Sequence, residues 1–216
     1  GILVRARAAK LLTRARHLRC GRHRRRCRAR GHRVRGLRVA VYCASATGHD
    51  PKYMALAHAV GTRFAREGIE IIYGGGRVGL MGGLADASLA EGGRVVGVIP
   101  ERLAIKEVAH EGLSELHVVQ GMHPRKQVFV ALAHAFVALP GGFGTIDEIV
   151  EAVTWTQLGH HDKPSFVLDP FGYYDGLMAF IEHGAREGLI SARAAKLLTR
   201  EDTLDGLIDR LRTIRH

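Results

Sequence analysis

From Leu37 onward, short runs of Val, Ile, Leu and Ala alternate with longer segments in which apolar residues recur every three or four positions. The runs have the pattern of strands covered on both faces, and the longer segments that of helices with one buried face. Six strands are expected: LRVAVYCAS, IEIIYG, RVVGVIP, LHVVQ, AFVALP and SFVLD. The helices between them carry end signals. Asp50 before Pro51 reads as an N-cap with proline at the first helical position, and Gly68 as the residue that stops that helix. A second helix is expected from about Leu80 to Glu91, a third from near Pro124, a fourth from Thr145 and a fifth around Tyr174 to Glu187, with further helix in the two C-terminal segments. The fold class is therefore α/β, a single doubly wound, mostly parallel, Rossmann-like sheet with helices on both faces.

In such a sheet the turns leaving the carboxyl ends of the strands open on one edge, where ligands bind. Four Gly-rich or polar turns belong there: SATGHDP at 45–51, YGGGRVGLMGG at 73–83, GMHPRK at 121–126 and PGGFGTIDE at 140–148. They are expected to converge.

Charge changes the picture only at one end of the chain. The formal charge of +11 comes from residues 1–36, which hold 14 of the 32 basic residues and no Asp or Glu, so the remaining 18 basic residues face 21 acidic ones. The part with fold-like periodicity is mildly acidic, so despite the overall charge it lacks the basic surface that nucleic acid, as a partner, requires. The basic segment has no apolar period, and its ARAAKLLTR at Ala6 to Arg14 recurs letter for letter at Ala192 to Arg200, where it suits a helix. Residues 1–36 are accordingly expected to stand outside the fold as a misplaced or disordered extension, with the domain at 37–216 and a start near Val34 to Val39. Cys20 and Cys27 lie near His17 and His23, but their six-residue gap fits no common zinc spacing. With no secretory signal and no apolar run of about 18 residues, a soluble cytoplasmic protein away from membranes is expected.

Each turn has a chemical and a purely structural reading. In YGGGRVGLMGG, Gly74, Gly76 and Gly79 satisfy G-x-G-x-x-G, but no Lys-Ser/Thr pair follows and no acidic ribose reader is evident. Gly74, Gly75 and Gly76 either bring backbone N–H groups to an anion at a helix start or make a tight turn. In PGGFGTIDE, Gly141, Gly142 and Gly144 precede Thr145, whose hydroxyl can donate to a phosphate. Thr145 and Glu148 also have the spacing of a capping box. Arg125 and Lys126 offer a planar fork and a point charge to phosphate, or else form a solvated basic pair. His123 reads as a local hydrogen-bonding residue, and Trp155 and Leu158 as core or interface. No metal-ligand cluster stands out.

Taken together, PGGFGTIDE, the upstream MHPRK, YGGGRVGLMG and the downstream TWTQLGHHDKP resemble the Lonely Guy (LOG) family of cytokinin riboside 5′-monophosphate phosphoribohydrolases, over about Leu37 to Ile190. The resemblance implies hydrolysis of the N-glycosidic bond of an N6-substituted adenosine 5′-monophosphate to free base and ribose 5-phosphate. It makes Arg125 and Glu148 the catalytic pair. Glu107, Lys126, Thr154 and the loop of Gly142, Phe143, Gly144, Thr145, Ile146, Asp147 and Glu148 become the nucleotide-binding set. It also implies at least a dimer, with the helix near Trp155 at the contact. No metal or redox cofactor is needed, and no lysine has a setting suited to a pyridoxal Schiff base, although the family resembles proteins long labelled lysine decarboxylases. A non-hydrolytic carrier of nucleotide or molybdenum cofactor on the same fold is the alternative.

Overall fold

A computed structural model describes residues 36–106 and 109–215. Seven strands, β1 Arg38–Tyr42, β2 Glu70–Tyr73, β3 Val95–Pro100, β4 Glu115–Val119, β5 Ala135–Ala138, β6 Ser165–Leu168 and β7 Leu198–Glu201, form one sheet in the order β4-β3-β2-β1-β5-β6-β7. Every pairing is parallel, so all carboxyl ends share one edge. The strand order reverses direction between β1 and β5, which opens a crevice there.

Helices α1 Lys52–Glu67, α2 Gly79–Ala90, α3 Glu101–Lys106, α4 Met122–Leu132, α5 Phe143–Gln157, α6 Asp175–Arg186 and α7 Leu204–Arg212 cover the two faces. Alternation along β1 assigns its side chains. Val39 and Val41 pack with Val60 and Phe64 of α1, Leu84 of α2 and Leu207 of α7, while Ala40 and Tyr42 pack with Phe129 of α4 and Ile149 and Ala152 of α5. The C-terminal end of α1 is as expected, and its start lies one residue on, with Pro51 in helical conformation at the N-cap position and Lys52 as the first helical residue. Asp50 Oδ1 accepts from the Lys52 N–H at 2.9 Å, and Gly68 closes the helix at φ 79°.

Two expectations are corrected. The first C-terminal segment is not a helix: its ARAAKLLTR copy runs through a single 3-10 turn, Ala194–Lys196, into β7. The open edge of β6 supplies the reason, because its backbone groups need partners and β7 provides them from Leu198 through Glu201. The fourth helix starts at Phe143, two residues ahead of Thr145. Among the described residues no helix is long and apolar enough to cross a membrane.

Candidate active site

The chain leaves β5 through Leu139–Gly142 and enters α5 with Gly142 as N-cap, at φ −91° and ψ −154° and without a side-chain cap. The expected capping box does not form. Thr145 is the third helical residue and only 4% exposed, packed so closely on Gly141 that a Cβ there would lie 2.1 Å from Thr145 Oγ1. The first backbone bond of this turn is Ile146 N–H to the Gly142 carbonyl, and the N–H groups of Phe143, Gly144 and Thr145 find no acceptor among the described residues. An uncapped helix start with free amides favours an anion. A Cβ on Gly142 or Gly144 would meet only open space, so these two glycines leave the backbone uncovered on the side a ligand would approach.

The YGGG turn differs. The N–H groups of Leu80 and Met81, at the start of α2, are already taken by the carbonyls of Ala46, in the first turn, and Ala44, just ahead of it, at 3.3 Å each. Gly74 instead makes room for Arg125, since a Cβ on Gly74 would stand 2.6 Å from Arg125 Nη2. Gly75 holds φ 80°, Gly76 accepts from the Tyr73 hydroxyl at 3.2 Å, and the turn is a seat for a guanidinium rather than an exposed helix start.

Arg125, on the first turns of α4, is 8% exposed and therefore not part of a solvated pair. Its Nε donates to the Val98 carbonyl at 3.0 Å, its Nη2 reaches the Gly74 carbonyl at 3.5 Å, and its Cζ lies 5.3 Å from the centre of the Phe129 ring. Nη1 stands 3.1 Å from Glu148 Oε1, pairing α4 with α5. Burial pushes the Glu148 carboxyl above its ordinary value; the Arg125 guanidinium pulls it back, and Asp147 and Glu151 add to the rise. Next to this pair, Lys126 Nζ bridges Asp147 at 2.9 Å and Glu151 at 3.1 Å. Burial lowers the Lys126 ammonium, but the two carboxylates outweigh it and hold the group above the usual lysine value.

The four turns are thus tied together: the first to the second through Ala44 and Ala46, the first to the fourth through Ala44 N–H and the Pro140 carbonyl at 3.3 Å, and the second to the third and fourth through Arg125. Phe143 stands 97% exposed at the tip of α5. Ile146 lines a cavity of about 320 Å³ with Gly141, Gly142, Phe143, Tyr173, Tyr174 and Leu177. Thr154 is exposed, gives its hydroxyl to the Val150 carbonyl at 2.8 Å, and is not brought together with Arg125 and Glu148 within one chain. Glu107 lies outside the described residues, as do Cys20, Cys27, His17 and His23. Among the described residues no group of His, Cys, Asp and Glu could hold a metal ion. A larger cavity of about 610 Å³, lined by His161, Ser191 and Arg193 among others, lies at the far end of α5 and contains none of the candidate residues.

Residues behind the loop escape a motif reading. The Tyr174 hydroxyl donates to the Leu139 carbonyl at 2.6 Å and that of Tyr173 to the Gly141 carbonyl at 2.7 Å. Their only trace in the sequence is DPFGYYD, which reads as a turn before a helix.

Comparison with known proteins is consistent with this geometry. A family described as "Possible lysine decarboxylase" matches residues 81–211. A cytokinin riboside 5′-monophosphate phosphoribohydrolase of Rhodococcoides fascians is 48% identical over 177 residues, covering 81% of this chain and 89% of that protein. One from Oryza sativa subsp. japonica is 42% identical over 180 residues, covering 83% and 74%. Among solved structures, the molybdenum cofactor binding protein of Rippkaea orientalis superposes with a TM-score of 0.64 at 18% identity, over 83% of this chain and 98% of that one. The molybdenum cofactor carrier protein of Chlamydomonas reinhardtii does so with a TM-score of 0.60 at 18% identity, over 82% and 97%. At that identity the two structures speak to the fold alone.

Proposed function

Because the chain belongs to the Lonely Guy family of cytokinin riboside 5′-monophosphate phosphoribohydrolases, we propose that it hydrolyses the N-glycosidic bond of adenosine 5′-monophosphates bearing an N6 substituent. The observation that carries this reading is the buried Arg125–Glu148 pair, 3.1 Å apart, beside a helix start whose first amides have no acceptor among the described residues. In the reaction the C1′–N9 bond breaks and a water oxygen bonds C1′; one water proton passes to Glu148, the departing base takes up a proton from solvent, and Glu148 returns its own to solvent, so the sum is water plus nucleotide giving free base and ribose 5-phosphate. Positive charge develops on the ribose as the base leaves, and an ionised Glu148 both stabilises it and accepts the water proton. Arg125 holds Glu148 in place and keeps guanidinium N–H groups for the ribose hydroxyls. The N–H groups of Phe143, Gly144 and Thr145 take the 5′-phosphate, with Lys126 nearby as a cation, so a monophosphate is preferred to a nucleoside.

The decarboxylase description of the matching family is not carried over. A Schiff-base lysine must lose its charge, whereas Lys126 is kept charged between Asp147 and Glu151.

The same reading makes the protein a cytoplasmic homo-oligomer, at least a dimer. The outward side of α5 carries Phe143, Val150 and Leu158 at 97%, 42% and 65% exposure, spaced so that a two-fold axis near Val150 would lay the stripe against its own copy. Thr154 lies on that outward side, which gives it a route to the nucleotide across such a contact.

Release of free base from isopentenyladenosine monophosphate, compared with AMP, ADP, ATP and adenosine, tests the function. Turnover restricted to monophosphates is expected. Nucleotide bound tightly without turnover would replace the hydrolase with a carrier.

A further inference from the structure

The shape of the glycine loop is imposed from behind. Four successive carbonyls, Leu139 to Gly142, each have a protein donor: the Tyr174 hydroxyl, the Ala44 N–H, the Tyr173 hydroxyl and the Ile146 N–H. In a trans peptide the carbonyl of one residue and the N–H of the next point in opposite directions. Fixing the Gly141 carbonyl on Tyr173 therefore turns the Gly142 N–H away from Tyr173, and fixing the Gly142 carbonyl into α5 points the Phe143 N–H outward along the helix axis. Left free, the peptide after Gly141 could rotate, since neither glycine has a side chain to resist it. A carbonyl would then face the anion in place of an amide.

The donors are themselves held by a buried carboxylate. Asp169, at the end of β6, is 0% exposed. Its Oδ1 accepts from the N–H groups of Tyr173 at 2.7 Å and Phe171 at 3.4 Å, its Oδ2 from that of Tyr174 at 2.8 Å, and Arg200 Nη2 lies 3.5 Å from Oδ2. A carboxylate can accept several such bonds, so one side chain fixes the backbone of both tyrosines. Their rings then meet edge to face at 5.1 Å, and Tyr173 packs on Tyr53 at 5.7 Å, leaving each hydroxyl one carbonyl to reach.

We propose that Tyr173 is a positioning residue for the phosphate: by holding the Gly141 carbonyl it orients the Gly142 N–H toward the ligand, beside the Phe143, Gly144 and Thr145 amides, with Asp169 as the anchor that keeps Tyr173 in place. This rests on the phosphate-binding role given above to the loop. It assigns to Tyr173 no contact with substrate, and its effect belongs to the phosphate end of the ligand rather than to the base.

The test is Tyr173→Phe in the full chain, which keeps the ring and removes only the hydroxyl. Losing one such hydrogen bond should weaken ribose 5-phosphate and inorganic phosphate binding by about 5- to 10-fold in calorimetry. KM for the nucleoside monophosphate should rise by a similar factor, with kcat within about two-fold and inhibition by free adenine unchanged. Asp169→Asn, which retains one acceptor oxygen, should shift the same constants in the same direction. Unchanged ribose 5-phosphate affinity in a folded Tyr173→Phe protein overturns the proposal. So does an equal loss for adenine and ribose 5-phosphate, which would mean general loosening. If neither protein hydrolyses nucleotides but ribose 5-phosphate affinity still falls on substitution, the hydrolase reading fails and this assignment stands.

Discussion

Glu148 sets two pH dependences that run in opposite directions. Burial makes its folded carboxyl hold the proton more tightly than an unfolded one, so ionisation costs stability as pH rises from the ordinary value of about 4.3 through the raised folded value. Catalysis needs the carboxylate, so activity appears across the same interval in which that stability is lost. Glu148→Gln should lower hydrolysis by at least about 10²-fold and abolish the acid limb of the rate profile. Urea titrations of both proteins should show the stability of wild type, relative to the variant, falling as pH is raised through that window; a constant difference would remove the burial argument. Glycines divide just as sharply. Gly141→Ala places a Cβ 2.1 Å from Thr145 Oγ1 and should destabilise the fold, by about 1–3 kcal/mol as overpacking does. Gly142→Ala meets open space at an allowed φ of −91°, so thermal melts should find it native-like while KM for the monophosphate rises. A Gly142→Ala protein with wild-type KM would take the phosphate away from this loop. None of that division was legible in PGGFGTIDE itself, because three glycines in a row of turn residues look alike until the neighbours of each Cβ are known.

Helix starts explain both what could be read at the level of elements and what could not. Asp50-Pro51 signalled α1 because the capping chemistry is local, an Asp50 oxygen two residues from the N–H it accepts. Thr145 and Glu148 gave an equally local signal that misled: Thr145 is pulled inward against Gly141, the helix begins ahead of it, and Glu148 is claimed by Arg125 from another element. β7 was missed for a related reason. LTRE is too short to show a period, and what makes it a strand is the edge of β6 beside it. The outer face of α5 gives the prediction for this scale. Val150→Asp puts a charge at the centre of an exposed apolar stripe without entering the core, so the folded monomer should persist while light scattering shows the oligomer lost. Unchanged mass in solution would place the contact on another face.

For the whole molecule, the order of strands and helices was legible from β1 through α6 except for the short α3, because a parallel sheet writes its core as apolar runs and its ligand edge as glycine-rich turns. Which side chains meet at that edge was not, since Arg125 and Glu148 are 23 positions apart and only the reversal of strand order between β1 and β5 brings α4 beside α5. Charge distribution is the remaining global feature, and it yields a test of where the working part of the chain lies. All acidic residues fall after position 36, along with every residue placed at the site, while 14 basic residues precede it. Removing residues 1–34 keeps the exposed Gly36 ahead of the fully buried Leu37, so the cut does not reach the core. A dianionic nucleotide could still be steered by the basic segment at low salt, which is why the comparison belongs near 0.15 M, where the Debye length is about 8 Å. There kcat and KM should both stay within about two-fold of the full chain, while retention on an immobilised polyanion, steeply salt-dependent for the full chain, should disappear. A folded truncated protein that no longer turns over the monophosphate would give residues 1–34 a part in the site.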